Sequence, residues 1–96
     1  MTPKQAHDER DALQLLDVRE ADELVVARFP GAIHIPMDQV PGRVHELDRT
    51  VPVAVICRSG NRSAHVTDYL NQLDFTAHNV DGGLRQWIRD GLPLHT

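Results

Sequence analysis

The chain has 96 residues, and its 14 acidic and 10 basic side chains give a formal net charge of −4 at pH 7. That length fits one domain, residues 1–96, around one core, and the negative charge argues against binding to nucleic acid or to an anionic membrane. The single cysteine excludes an internal disulfide, and without a signal peptide or an apolar run of about 20 residues we expect a cytoplasmic protein.

The first segment of the chain predicts a helix followed by a strand. Thr2 can cap a helix that has Pro3 at its first position and extends to about Arg10. Residues 13–18 are then predicted to form the first clear strand.

Charged and polar side chains accompany the first two strands. Asp17 and Arg19 lie at the carboxyl end of the first strand, the edge where α/β proteins build their sites. We interpret them as a structural ion pair near the surface. A brief second strand over residues 32–35 carries His34 between two isoleucines, and we interpret this histidine as structural rather than catalytic.

Two short helices are predicted on either side of that second strand. Residues 21–28 form the first, with Leu24 and Val25 facing inward. Asp38 is expected to cap the next helix, with Pro41 tolerated in its first turn. The apolar face of this helix consists of Val40, Val44 and Leu47.

The second half of the chain repeats the strand and helix alternation. Residues 51–56 and 75–80 are predicted strands, and a helix that extends to Leu73 lies between them. A turn at residues 81–83 leads into a final helix, which ends at Gly91. We expect that helix to pack through Leu84, Trp87 and Ile88.

This alternation predicts a parallel sheet with helices on both faces. Four strands are clear, and a fifth would have to be very short and near the N-terminus. Apart from His34, the histidines show no ligand spacing with the lone cysteine or with a carboxylate pair, so we expect no metal site.

The segment from Cys57 to Ser63 lies at the predicted turn from strand to helix. Gly60 can adopt a positive φ angle, so the turn can curl its backbone N–H groups inward. The following helix adds free N–H donors and the positive end of its dipole, and Arg58 and Arg62 add positive charge. All these groups favour an anion, and the nearest candidate is the thiolate of Cys57.

Two other interpretations of this segment are weaker. A lone cysteine is commonly a buried structural residue, and a glycine-containing loop can hold phosphate, but the Gly-x-x-x-x-Gly-Lys-Ser/Thr pattern of phosphate loops is absent. Packing alone does not require two arginines and a glycine within five residues of a thiol. We therefore interpret Cys57 as a nucleophile.

Five stretches of the chain together resemble the rhodanese (thiosulfate sulfurtransferase) family, and in particular its single-domain members. The Cys-Arg-x-Gly-x-Arg loop is the most specific, and the similarity extends from about Thr2 to Pro93. Where the family often has His-Ile-Pro-Gly-Ala, this chain has Arg28 to Ala32, a difference confined to a turn. The five stretches are Asp17–Glu20, Pro30–Pro36, Cys57–Ser63, Gly82–Trp87 and Gly91–Pro93.

The resemblance implies a rhodanese-like three-layer α/β fold, with helices on both faces of a parallel sheet of four to five strands. It implies transfer of a sulfane sulfur, through a persulfide on Cys57, from thiosulfate or a similar donor to cyanide or a thiol. Donor and acceptor would be small molecules, or the acceptor a protein, and no cofactor is implied. The catalytic residue would be Cys57, and the substrate-binding residues would be Arg58, Ser59, Gly60, Asn61, Arg62 and Ser63.

Other functions on the same fold remain as alternatives. Cysteine phosphatases and arsenate reductases of this fold have a Cys-x5-Arg loop, whereas here four residues separate Cys57 from Arg62 and Ser63 occupies the position of the phosphatase arginine. The tighter loop suits one sulfur atom better than a phosphoryl group. A sulfur carrier or binding module that serves one protein partner would retain the cysteine and look the same in sequence.

The two loop arginines are expected to have different roles. Arg58 follows the nucleophile before the chain turns into the helix, so its side chain should reach outward to an incoming anion. Arg62 lies at the helix start, where its side chain can fold back over the loop and brace it.

Overall fold

The computed structural model describes all residues from Met1 to Thr96. Four strands form one parallel sheet in the spatial order β2-β1-β3-β4. The expected fold is confirmed with four strands, and the N-terminal segment forms a helix instead of a fifth. The strands are β1 (Gln14–Asp17), β2 (Ile33–His34), β3 (Val53–Ile56) and β4 (Ala77–Asn79).

Five α-helices and three single 3₁₀ turns connect the strands. No helix combines the length and the apolar character that crossing a membrane requires. The helices are α1 (Pro3–Asp8), α2 (Glu23–Val26), α3 (Val40–Arg43), α4 (Asn61–Gln72) and α5 (Gly83–Arg89). The 3₁₀ turns are Arg10–Ala12, Met37–Gln39 and Val44–Glu46.

Strand β3 is buried on both faces, as a central parallel strand must be. Val53 and Val55 point into an apolar cluster that includes α3 and α4, whereas Ala54 and Ile56 point into a second cluster that includes α1 and α5. The sheet is therefore the middle layer of three. Its carboxyl edge is set by the strand register, which pairs Asp17 with both His34 and Ile56 and pairs Val55 with Asn79.

The predicted helix starts are confirmed at α1 and corrected at α3. Thr2 caps α1 because its side chain accepts from Gln5 N at 3.1 Å, and Gln5 Oε1 accepts from Thr2 N at 2.8 Å. Asp38 does not cap α3, because it lies inside the 3₁₀ turn and makes no side-chain cap bond. Helix α3 begins at Val40, and this start places Pro41 in the first turn, where its missing N–H is not needed.

Two residues predicted to face inward are exposed. Val25 is 80% exposed, because α2 is a single turn that half-buries Glu23 and Leu24 and leaves the following valines in solvent. Ile88 is 57% exposed. In α5 the neighbouring Trp87 takes the position against the sheet, and Ile88 lies about 100° further round the helix. The predictions for Val25 and Ile88 were wrong.

Asp17 and Arg19 form an ion pair, as predicted, but in the core rather than near the surface. Both side chains are 1% exposed, and Arg19 Nη2 lies 2.9 Å from Asp17 Oδ2. The guanidinium also donates to Ala27 O at 2.8 Å and lies over the ring of Phe29. The pair therefore fixes the segment that contains α2 against the carboxyl end of β1.

His34 contacts the backbone, and its interpretation as structural stays a prediction. Its Nε2 lies 2.7 Å from Arg19 O, so the histidine holds the backbone that follows β1.

Trp87 closes the cluster beneath α5. Its ring contacts Phe29 and His7 edge-on, and its Nε1 donates to Pro93 O at 2.9 Å.

We expect Trp87→Ala to lower the unfolding free energy by about 3–5 kcal/mol, measured by urea denaturation. Ile88→Ala, one residue further and largely exposed, is the matched control and should change stability by less than about 0.5 kcal/mol. Equal losses in the two variants would contradict this packing.

Candidate active site

The site is a tight loop between the end of β3 and the start of α4. Gly60 caps α4 with a φ angle of +103°, a left-handed conformation that a residue with a side chain rarely adopts. A Cβ there would lie 3.4 Å from Gly82 N, which is an ordinary contact distance. The glycine is therefore needed for the turn rather than for space.

Helix α5 determines which way the peptide groups of the loop point. Leu84 N donates to Cys57 O at 2.8 Å, and Arg85 N donates to Arg58 O at 3.1 Å. A side chain at Gly83 would collide with Cys57 O, so only glycine allows the helix to come this close. Because both carbonyls bind α5, the backbone N–H groups of the next residues in the loop can turn toward the thiol of Cys57.

Backbone N–H groups of the loop point at Cys57 Sγ. Gly60 N donates to it at 3.1 Å and Ser63 N at 3.5 Å, and Ser63 Oγ lies 3.2 Å away. The residue is only 1% exposed. The inward N–H groups predicted from the sequence are therefore present, and a thiol that is almost buried still has polar partners.

Opposing effects act on the pKa of the Cys57 thiol. Burial raises the pKa, whereas hydrogen bonds from the Ser63 hydroxyl and from the N–H groups of Ser63, Gly60 and Ser59 lower it, and the net result is a lowered pKa. Hydrogen bonds to the charged form outweigh desolvation here. The loop therefore favours the thiolate, the reactive form of cysteine.

Asn79 is a site residue that the sequence analysis missed. Its Nδ2 donates to Gly60 O at 3.3 Å, and its Oδ1 accepts from Ser63 Oγ at 2.6 Å. Ser63 has one hydroxyl proton, so Asn79 Oδ1 and Cys57 Sγ compete for it. The signal available in the sequence was a polar side chain at the end of the strand beside β3.

Glu23 is the second missed residue. Arg62 braces the loop, but through an unforeseen contact: its guanidinium binds both carboxylate oxygens of Glu23 at 2.8 and 2.9 Å. The hydrogen bonds from Arg62 lower the pKa of Glu23 to about 2. The same hydrogen bonds raise the pKa of Arg62. Helix α2 and the loop are therefore held together by charge.

The remaining predicted loop residues are exposed. Arg58 makes no ion pair, and its side chain is open to solvent, as expected for the residue that meets an incoming anion. The backbone N–H of Ser59 helps to lower the pKa of the thiol, and Asn61 begins α4. No group of three His, Cys, Asp or Glu side chains is arranged to hold a metal ion.

The sequence profile of the rhodanese-like domain matches residues 2–90. The chain belongs to the rhodanese-like family. A rhodanese-related protein of Thermoplasma volcanium has a similar crystal structure, with a TM-score of 0.95, 34% identity and coverage of 99% of this chain and 95% of that one.

Two relatives agree with this assignment. YtwF of Bacillus subtilis, provisionally named a sulfurtransferase, is 39% identical over 83 residues, or 86% of this chain and 81% of that protein. A sulfurtransferase of Allochromatium vinosum is 36% identical over 88 residues, or 91% of this chain and 81% of that one. The family and its relatives thus support a sulfur-transfer protein.

The Ser63 hydroxyl should be needed for the reactivity of the rhodanese-like loop. We expect Ser63→Ala to raise the pKa of Cys57, because one hydrogen bond to the thiolate is lost. A bond worth about 1 kcal/mol corresponds to roughly a fivefold slower reaction with iodoacetamide at neutral pH. The measurement is the labelling rate as a function of pH. Ser59→Ala, which keeps its backbone N–H, is the control and should resemble the wild type.

The Glu23–Arg62 pair should make stability depend on pH. The pKa of Glu23 is lowered from 4.5 to about 2, so its contribution is complete above 4.5 and is lost as the pH falls toward 2. Allowing for solvent screening, we expect Glu23→Gln to cost about 1–2 kcal/mol near neutral pH. Urea denaturation across this pH range should show the difference from wild type shrinking in acid.

Glu20→Gln is the matched control for that experiment, because Glu20 is exposed and its side chain makes no ion pair. A constant difference between Glu23→Gln and wild type at every pH would contradict the role assigned to the pair.

Proposed function

We propose that this protein is a sulfurtransferase that moves a sulfane sulfur from thiosulfate or a similar donor to a thiophilic acceptor through a persulfide on Cys57. The observation that carries the proposal is the ring of donors around Cys57 Sγ, formed by Gly60 N, Ser63 N and Ser63 Oγ. These groups favour a thiolate, which is the form that attacks sulfur. A reducing compartment such as the cytoplasm would keep this lone cysteine available.

In the first step, the Cys57 thiolate attacks the outer sulfur of thiosulfate. A bond forms between the two sulfur atoms, the bond from the outer sulfur to the central sulfur breaks, and sulfite leaves with its electron pair. In the second step, cyanide or a thiolate attacks the outer sulfur of the persulfide. Thiocyanate or a new persulfide forms, and the Cys57 thiolate is regenerated.

The loop suits both charged states of this cycle. Persulfide formation places the negative charge on the outer sulfur, and N–H groups that are already oriented can stabilise it without reorganisation. Arg58, exposed and without an ion pair, is the group that would attract the anionic donor and stabilise the departing sulfite. Arg62 is less suited to binding these anions, because its charge is already neutralised by Glu23.

A phosphatase or arsenate reductase is less well supported. Four residues between Cys57 and Arg62 make a short loop. Ser63 occupies the position of the phosphatase arginine, and its N–H donates to the thiol while its hydroxyl donates to Asn79 Oδ1. The phosphoryl group would need more donors and more positive charge than this ring offers. We therefore expect negligible hydrolysis of aryl phosphates.

A sulfur carrier is the second candidate. YrkF of Bacillus subtilis, provisionally named a sulfur carrier protein, is 38% identical over 85 residues, and this chain covers 46% of that longer protein. A carrier would form the same Cys57 persulfide but deliver the sulfur only to its protein partner. Turnover with cyanide distinguishes the two candidates.

The test is a mass measurement of the intact protein. Thiosulfate should add the mass of one sulfur atom, and cyanide should remove it with the release of thiocyanate. Cys57→Ser should show neither change, while Ser59→Ala should behave as the wild type because it leaves the thiol and the loop N–H groups in place. Sulfur uptake by Cys57→Ser, or phosphatase turnover that disappears in it, would overturn the proposal.

A further inference from the structure

A cavity of about 380 Å³ opens between α2 and α5 beside the loop. Its apolar wall consists of Val26, Leu84 and Ile88. Two of these residues are among the three large hydrophobic side chains that the protein leaves exposed: Val26 is 77% exposed and Ile88 is 57% exposed. Exposed apolar side chains that cluster at one cavity indicate a binding surface, whereas single exposed apolar side chains are normal on a protein.

The charges at this cavity leave an excess of positive charge. Two charged side chains in its wall are neutralised, Glu23 by Arg62 and Arg19 by the buried Asp17. The other two, Arg58 and Arg85, make no ion pair. In a protein with a net charge of −4, two unpaired cations beside an apolar wall form a distinct local surface.

The cavity adjoins the loop that contains Cys57, because Arg58 lies in its wall. The backbone of Leu84 binds Cys57 O, and that of Arg85 binds Arg58 O, so the wall formed by α5 is continuous with the loop. Cyanide and thiosulfate have no apolar part that would pack against Val26 and Ile88. An occupant that uses this surface therefore has an apolar part, a negative charge and a group that reaches the loop.

We propose that this surface binds the protein that accepts the sulfur, through a segment in which a cysteine lies beside apolar and acidic side chains. The inference rests on the function proposed above and specifies its acceptor. The partner's cysteine thiolate attacks the outer sulfur of the Cys57 persulfide. The sulfur–sulfur bond to Cys57 breaks, Cys57 leaves as the thiolate, and the partner carries the persulfide.

Three synthetic cysteine peptides of equal length test the chemistry of the partner. The first has leucine and aspartate around its cysteine, the second has serine in place of leucine, and the third has lysine in place of aspartate. Persulfidated wild-type protein is mixed with each peptide, and sulfur transfer is followed by mass. We expect kcat/KM for the first peptide to exceed that for the second by roughly fivefold and that for the third by roughly tenfold.

Variants of the cavity locate the binding surface. Arg85→Gln and Ile88→Ser should each lower kcat/KM for the first peptide by about threefold to fivefold and leave transfer to cyanide unchanged. Arg89→Gln and Val25→Ser are matched controls, since both residues are exposed on α5 and α2 and lie outside the cavity. They should match the wild type with every acceptor, and thermal melting should confirm that all four variants fold.

The outcomes separate this inference from the proposed function. Loss of thiosulfate-to-cyanide transfer in the wild type would overturn the function itself. Normal cyanide transfer with equal use of the three peptides would overturn only the acceptor surface, as would equal effects in Arg85→Gln and Arg89→Gln. A stable wild-type dimer that Ile88→Ser dissociates would assign the cavity to a second copy of this chain and would likewise overturn it.

Discussion

The site depends on the hydrogen bonds that hold the loop carbonyls against the start of α5. Cys57 O and Arg58 O accept from Leu84 N and Arg85 N in the first turn of that helix, so these two carbonyls point toward α5. The following N–H groups then converge on Cys57 Sγ. An anion site made of backbone dipoles is already oriented before the substrate arrives, which is the condition for electrostatic stabilisation of a thiolate or persulfide.

A chain of charged contacts links the core to this loop. The buried Asp17–Arg19 pair fixes the segment that contains α2, and Glu23 of α2 binds Arg62 at the start of α4. Each of these ion pairs neutralises an arginine that would otherwise be a free cation near the loop. Arg58 and Arg85 are the two arginines in the cavity wall that make no ion pair.

Burial and reactivity are balanced at Cys57. A thiol that is 1% exposed would ordinarily resist ionisation, and a fully apolar pocket would leave it inert. Here the donors are backbone N–H groups and the Ser63 hydroxyl, so the pKa of the thiol is lowered by neutral hydrogen-bond donors rather than by a charged side chain. Asn79 adjusts that balance, because it holds Gly60 O and shares the Ser63 proton with the thiol.

The sequence alone determined the features that depend on neighbouring residues. The cap at Thr2, the left-handed turn at Gly60, the alternation that makes a parallel sheet and the position of Cys57 all follow from local spacing. Only the tertiary structure decided that Arg19 is buried, that Ile88 is exposed and that Glu23 and Asn79 join the site. The physical reason is that hydrogen bonds and burial between distant segments depend on how close the fold brings them, which the spacing along the chain does not encode.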